Sequence, residues 1–169
     1  MSTVVRRRLL GLSVLCLALV ACTLATSPNA GGRNKARVAT VVTIGTPGCA
    51  PGASFKPGLG GLPQAGVDSS QGSLWALFFD SVPPPAGKEI KIVWRMTGTG
   101  PFAFDVSDSQ GSLAPLAWGP EPHGGSNWEH PGDEVGTGIA FPHAGCWRIQ
   151  VSRSRAQGEL WLSVVNALP

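Results

Sequence analysis

The stretch EIKIVWRM, residues 89–96, decides the fold class, because Ile90, Ile92, Trp94 and Met96 fall on one side of an extended chain while Lys91, Val93 and Arg95 fall on the other. Successive side chains of a strand point to opposite faces, so this period of two marks a strand with one face in a core. The same reading spreads outward. LWALFF (74–79) is apolar on both faces and reads as a central strand, and FAFDV aligns Phe102, Phe104 and Val106. Val135, Thr137, Ile139 and Phe141 alternate with small residues, and Trp147, Ile149 and Val151 alternate with Arg148 and Gln150. ELWLSVV (159–165) follows the turn SRAQG, and the β-branched ARVATVVTI (36–44) supplies a first strand. Helix signals are nearly missing. The Gly/Pro-rich segment GTPGCAPGASFKPGLGGLPQAG (45–66) reads as neither helix nor sheet interior. Six or seven short strands joined by turns predict an all-β fold, an antiparallel immunoglobulin-like β-sandwich, with a small β-barrel as the alternative.

The amino terminus, MSTVVRRRLLGLSVLCLALVAC, carries Arg6, Arg7 and Arg8 ahead of an apolar run from Leu9 to Ala21. That is the layout of a secretory signal. The run has 13 residues, whereas a membrane-spanning helix needs about 20. Its end, Leu19-Val20-Ala21-Cys22, resembles the lipobox of bacterial lipoproteins, in which the signal is cut before the Cys and the thiol is acylated. The expected organisation is a signal peptide over 1–21, a flexible tether over 22–36 and one β-sandwich domain over 37–169. Two or three acyl chains on Cys22 would anchor the protein to a lipid bilayer at the outer face of the cell membrane or in the outer membrane. The arginines fit the general secretory route better than twin-arginine export, because Val5 and Leu9 stand where that signal prefers Ser/Thr and Phe.

Cleavage changes the charge argument. The chain has 13 Lys and Arg against 10 Asp and Glu, and Arg6, Arg7 and Arg8 leave with the signal, so the mature chain is formally neutral. Nucleic-acid binding by bulk charge is therefore not expected. Arg33, Lys35 and Arg37 form a small basic cluster in or near the tether, read as a solvated linker.

Of the four cysteines, Cys16 leaves with the signal and Cys22 is acylated, which leaves Cys49 and Cys146. An even pair in an oxidising compartment predicts one disulfide. The segment FPHAGCWRIQV (141–151) then reads as a fold corner: Phe141-Pro142 ends one strand, Ala144-Gly145 turns, and Trp147 opens the inward face of the next. Such corners often use a Tyr; this chain has none, so Trp147 supplies the bulky anchor. By parity Cys146 shares the face of Arg148 and Gln150, and should meet Cys49 at the sandwich edge or on its outer face.

The run GDEVGTGIAFPHAGCWRIQV (132–151), with GSLWAL upstream and a short last strand downstream, resembles a family of bacterial exported or lipid-anchored β-sandwich domains that end in an FPxxGCW-type corner. The resemblance covers roughly residues 70–166. It implies an exported β-rich fold, and no activity or site residue is carried over from it.

Chemistry-bearing side chains are sparse. His143 and Cys146, with His123, His130 and Met96, are the residues a copper site would draw on. However, the Cys-then-His-then-Met order of cupredoxin-like proteins is missing, and no metal site or cofactor is expected. A Cys nucleophile paired with His143 lacks a local orienting carboxylate. No P-loop, dinucleotide fingerprint, HExxH or GxSxG occurs, and the reading is non-enzymatic. An envelope enzyme and a metal carrier are the alternatives. The suggestive region is the connection 109–136, read as one long loop, which places Trp118, His123, Trp128 and His130 among Gly, Pro and acids. Long loops tend to carry function, and Trp beside polar groups can stack on sugar rings or anchor a protein. These four residues are the expected binding surface for an envelope protein or glycan, the competing account being that both Trp rings pack the loop onto the sheet.

Overall fold

The computed structural model describes residues 41–167. The signal peptide (1–21), Cys22 with its tether (22–36), the basic cluster and residues 36–40 of the expected first strand lie outside the described residues. Among those described, the strands are β1 (Val41–Ile44), β2 (Lys56–Pro57), β3 (Pro63–Ser69), β4 (Gly72–Phe78), β5 (Glu89–Met96), β6 (Ala103–Asp108), β7 (Leu116–Pro122), β8 (Asp133–Ala140), β9 (Gly145–Arg153) and β10 (Ala156–Val164).

They form two sheets, a four-stranded one in the order β1-β10-β9-β6 and a six-stranded one in the order β2-β3-β4-β5-β8-β7. Neither sheet closes on itself or joins the other into a ring, so the fold is a sandwich and the barrel alternative does not hold. All pairings are antiparallel except β1 with β10, which run parallel from Val41↔Gln157 to Ile44↔Leu160. The runs β10-β9-β6 and β5-β8-β7 repeat the two-sheet Greek-key order of an immunoglobulin-like sandwich. The β3-β4 hairpin widens the second sheet beside β5.

The core lies between the sheets and follows the sequence alternation. Ile90, Ile92, Trp94 and Met96 from β5 meet Trp147, Ile149 and Val151 from β9, all buried. Trp94 can sit at the centre because its indole N–H donates to Thr137 Oγ1 at 2.9 Å, so its one polar group is satisfied. Arg153 closes one end. Its buried guanidinium donates to the Met96 carbonyl at 2.8 Å and to the Gly100 carbonyl, pairs with Asp133, and lies 4.4 Å from the Phe102 ring.

The corner is built as its residues dictate. Phe141 and Trp147 are fully buried with ring centroids 5.5 Å apart, and the Trp147 indole donates to the His143 carbonyl at 3.1 Å. Cys146 pairs with Cys49 through a disulfide of 2.04 Å with Cα atoms 5.6 Å apart. The bond holds the 3₁₀ turn Pro47–Cys49 against the start of β9, and Ala53 N–H donates to the Trp161 carbonyl of β10 at 2.8 Å.

Four readings of the sequence need correction. Ten strands form rather than six or seven, because β2, β3 and β7 lie in stretches read as loop. The Gly/Pro-rich segment is not wholly outside the sheets: Lys56–Pro57 form the edge strand β2, and the segment's end enters β3, where Ala65 is buried, with Pro63 at the first strand position, where Pro is tolerated. Residues 109–136 are not one loop, because β7 runs through them as an edge strand bonded to β8. Finally, the last hairpin turns over Ser154 and Arg155, so β10 begins at Ala156 rather than Glu159.

Candidate functional site

The candidate site lies on the outer face of the six-stranded sheet. Parity puts Trp75 and Leu77 of β4 and Val93 of β5 there, facing away from the core. Instead of meeting water they form a second apolar cluster with Trp128, covered in part by Leu59 and Leu62. The apolar-on-both-faces reading of β4 therefore has its cause: two connections, one before β3 and one between β7 and β8, pack over it.

One half of this face is closed. The Trp75 ring lies over Gly66 of the neighbouring strand, where a Cβ would fall inside the indole. Its N–H donates to Asp68 Oδ1 at 2.8 Å. His130 stacks on Trp75 with centroids 3.7 Å apart and meets the Trp128 ring edge-on at 5.0 Å. Gln64 Oε1 accepts from the Trp128 indole at 2.7 Å and lies 3.2 Å from His130 Nε2, which fixes the amide oxygen toward both rings. Trp128 is only 3% exposed, so it supports this face from beneath and offers no ring surface. Burial holds His130 below the ordinary histidine range, with Asp68 opposing and Lys56 and Arg95 adding to the effect.

The other half is open. Trp118 projects from β7 across β8, where Gly136 and Gly138 leave bare backbone; a Cβ at Gly138 would fall inside the indole, and one at Gly136 would lie 3.3 Å from the ring. The Trp118 N–H donates to Glu89 Oε1 at 2.7 Å, which fixes the ring's direction. Beside it Glu134, with a side chain only 5% exposed, accepts from Arg95 Nε at 2.7 Å and lies 2.6 Å from His123 Nδ1. Burial alone would raise the Glu134 pKa, but hydrogen bonds from Arg95, His123 and Ser126 outweigh it and hold the carboxyl below its ordinary range. The carboxylate thus accepts from His123 Nδ1–H and leaves Nε2 facing Lys91 Nζ at 3.5 Å. Lys91 also lies 4.5 Å from the centroid of Phe79, a ring 42% exposed.

The structure therefore brings Trp118, His123, Trp128 and His130 to one sheet face, in two layers. Trp118 and His123 are half-buried at the surface, and Trp128 lies below it. Sequence reasoning missed Phe79, Glu89 and Lys91. The parity of β5 puts Lys91 on the outward face, and the Gly-Thr-Gly spacing of residues 136–138 marks a stretch of strand with no outward side chain. Those two signals together point to a ring-covered patch. His143 and Cys146 stay apart from this face, His143 lying 3.3 Å from Asp108 and Cys146 held in the disulfide. Among the described residues, no group of three or more His, Cys, Asp or Glu is placed to hold a metal ion. No helix among them is long and apolar enough to cross a membrane.

No protein-family model and no curated protein matches the chain. One solved structure with some likeness is described as a "putative lipoprotein" from Bacillus anthracis. It is 18% identical, covers 62% of this chain and 79% of its own, and superposes with a TM-score of 0.40. It assigns no role to any residue of the face.

Proposed function

We propose that this chain is an exported protein held at a bacterial cell envelope by a lipid on Cys22, and that its sandwich is a non-enzymatic binding module for an envelope component. The observation that carries the reading is the Cys49–Cys146 disulfide, which joins residues 97 apart in sequence. Bonds of this kind persist in oxidising, exported compartments, and this one accounts for both thiols downstream of the Leu19-Val20-Ala21-Cys22 signal. The binding half of the reading is supported by the open part of the six-stranded sheet, where an oriented indole and charged groups of both signs meet solvent. A tether of some fourteen residues would hold that face about 20 Å from the bilayer.

Growing cells on an alkyne-bearing palmitate and comparing the wild-type chain with Cys22→Ser tests the anchor. The reading predicts label and membrane retention in the wild type, and loss of both in Cys22→Ser with the disulfide intact. Unlabelled wild-type protein in the soluble fraction would overturn it.

A further inference from the structure

We infer that the open half of the sheet face binds a polysaccharide whose sugars carry carboxylates, with Trp118 and Phe79 as stacking platforms and Lys91 as the cation that selects the acid group. This rests on the reading of the domain as a binding module and names the ligand class for it.

Trp118 is pre-organised. One side of its ring is backed by the backbone of Gly136 and Gly138, its N–H is fixed on Glu89 Oε1 at 2.7 Å, and the ring is half-buried rather than covered. A ring already locked in place loses little freedom when a ligand stacks on it. The negative face of an indole attracts the C–H face of a pyranose, whose hydroxyls then reach for donors and acceptors around the ring. Both are present: the Glu89 carboxylate accepts and the Lys91 ammonium donates.

Lys91 supplies the selectivity. It pairs in register with Gly138, so its stem leaves the sheet beside the Trp118 ring. Lys88, Arg95, Arg148 and Arg153 each have a carboxylate within salt-bridge distance. Lys56, Lys91 and Arg155 have none among the described residues; Lys56 lies over the Trp75 ring on the closed half, whereas the Lys91 ammonium rests 4.5 Å from the Phe79 centroid and 3.5 Å from His123 Nε2 on the open half. The Phe79 amide donates to the Lys91 carbonyl at 3.0 Å, which puts that exposed ring next along the row. At about 5 Å between strands, the row Phe79, Lys91, Trp118 runs across roughly 10–15 Å, the reach of a short chain of sugars rather than one. Glu89 and Glu134 on the same face as Lys91 disfavour a phosphate backbone, which needs several basic contacts.

The full chain, purified in detergent, is titrated with alginate (a polyuronate), dextran (a neutral glucan) and poly-L-glutamate (carboxylates without sugar rings). The inference predicts alginate binding at least tenfold tighter than either control. Lys91→Met and Trp118→Ala should each weaken it at least tenfold, and Phe79→Ala several-fold. Phe79 is exposed and Lys91 is half-buried with no salt bridge to lose, so their variants should keep the melting temperature and carry the test if Trp118→Ala folds poorly. Equal binding to poly-L-glutamate or dextran, alginate binding indifferent to Lys91→Met, or no alginate binding would overturn it. Lipid labelling of Cys22 is scored separately, so failure here with label present rejects the ligand class alone.

Discussion

Trp118 on β7 lies directly over Gly138 on β8, close enough that a Cβ on the glycine would occupy the indole. The pair fixes the larger of the two aromatic rings, Trp118 and Phe79, on the open sheet face. Gly138→Ala should therefore displace Trp118, lower stability by about 1–3 kcal/mol and reduce alginate binding as Trp118→Ala does. Gly124→Ala, at a site with nothing within 4 Å of the added methyl, should leave both unchanged. Urea unfolding and titration of the two variants make the comparison.

The disulfide joins the turn after β1 to the start of β9 across 97 residues. In the chain-entropy model such a loop is worth about 4–5 kcal/mol, and measured losses on removing a native disulfide run about 2–5 kcal/mol. Cys146→Ser should lower the urea midpoint accordingly, and reductant should do the same to the wild type but nothing further to the variant.

At the corner, Trp147 fills the core and holds the His143 carbonyl at 3.1 Å. Trp147→Phe keeps most of the volume and loses the bond, for about 1–2 kcal/mol. Trp147→Ala loses both and should cost about 3–5 kcal/mol. Equal losses from the two substitutions, measured by denaturant unfolding, would remove the anchor role assigned to the ring.

Stability should fall with pH in two stages. Burial depresses the His130 pKa, so below about pH 6.5 the unfolded chain binds a proton that the folded chain resists, and stability drops as pH falls toward the folded pKa. The carboxyl of Asp68 is also held below its ordinary range, first by the Trp75 indole and then by Ser73, and that of Glu134 by Arg95, His123 and Ser126 against burial. Their contribution is present above about pH 4 and is lost as pH falls through their folded values. His130→Phe keeps a ring against Trp75, so it should flatten the first stage and leave the second. The urea midpoint followed from pH 8 to pH 3 reads both.

Much of the fold was legible because a half-buried strand writes its parity into sequence. Ile90 to Met96 and Trp147 to Val151 announce which side faces the core, and the corner at Phe141–Trp147 is local. What escaped depends on pairing across the sheet. β7 is hidden by Gly119 and Pro120, which break its register between Trp118 and Glu121 and are tolerated because it is an edge strand. β3 is masked by Pro63 and Gly66, the latter needed under Trp75. The site was half legible: Trp118 and His123 stand out by type, but the Gly138 that seats one and the Glu134 that orients the other are informative only once β7 lies beside β8.

Intact mass spectrometry of the full chain extracted from membranes decides whether the proposed lipid tether holds this domain outside the cytoplasm. The account predicts a chain that begins at Cys22, carries the mass of a diacylglycerol with or without a further acyl group, and gains two hydrogens on reduction as the Cys49–Cys146 bond opens. A chain that retains residues 1–21, or a Cys22 without lipid, would contradict it.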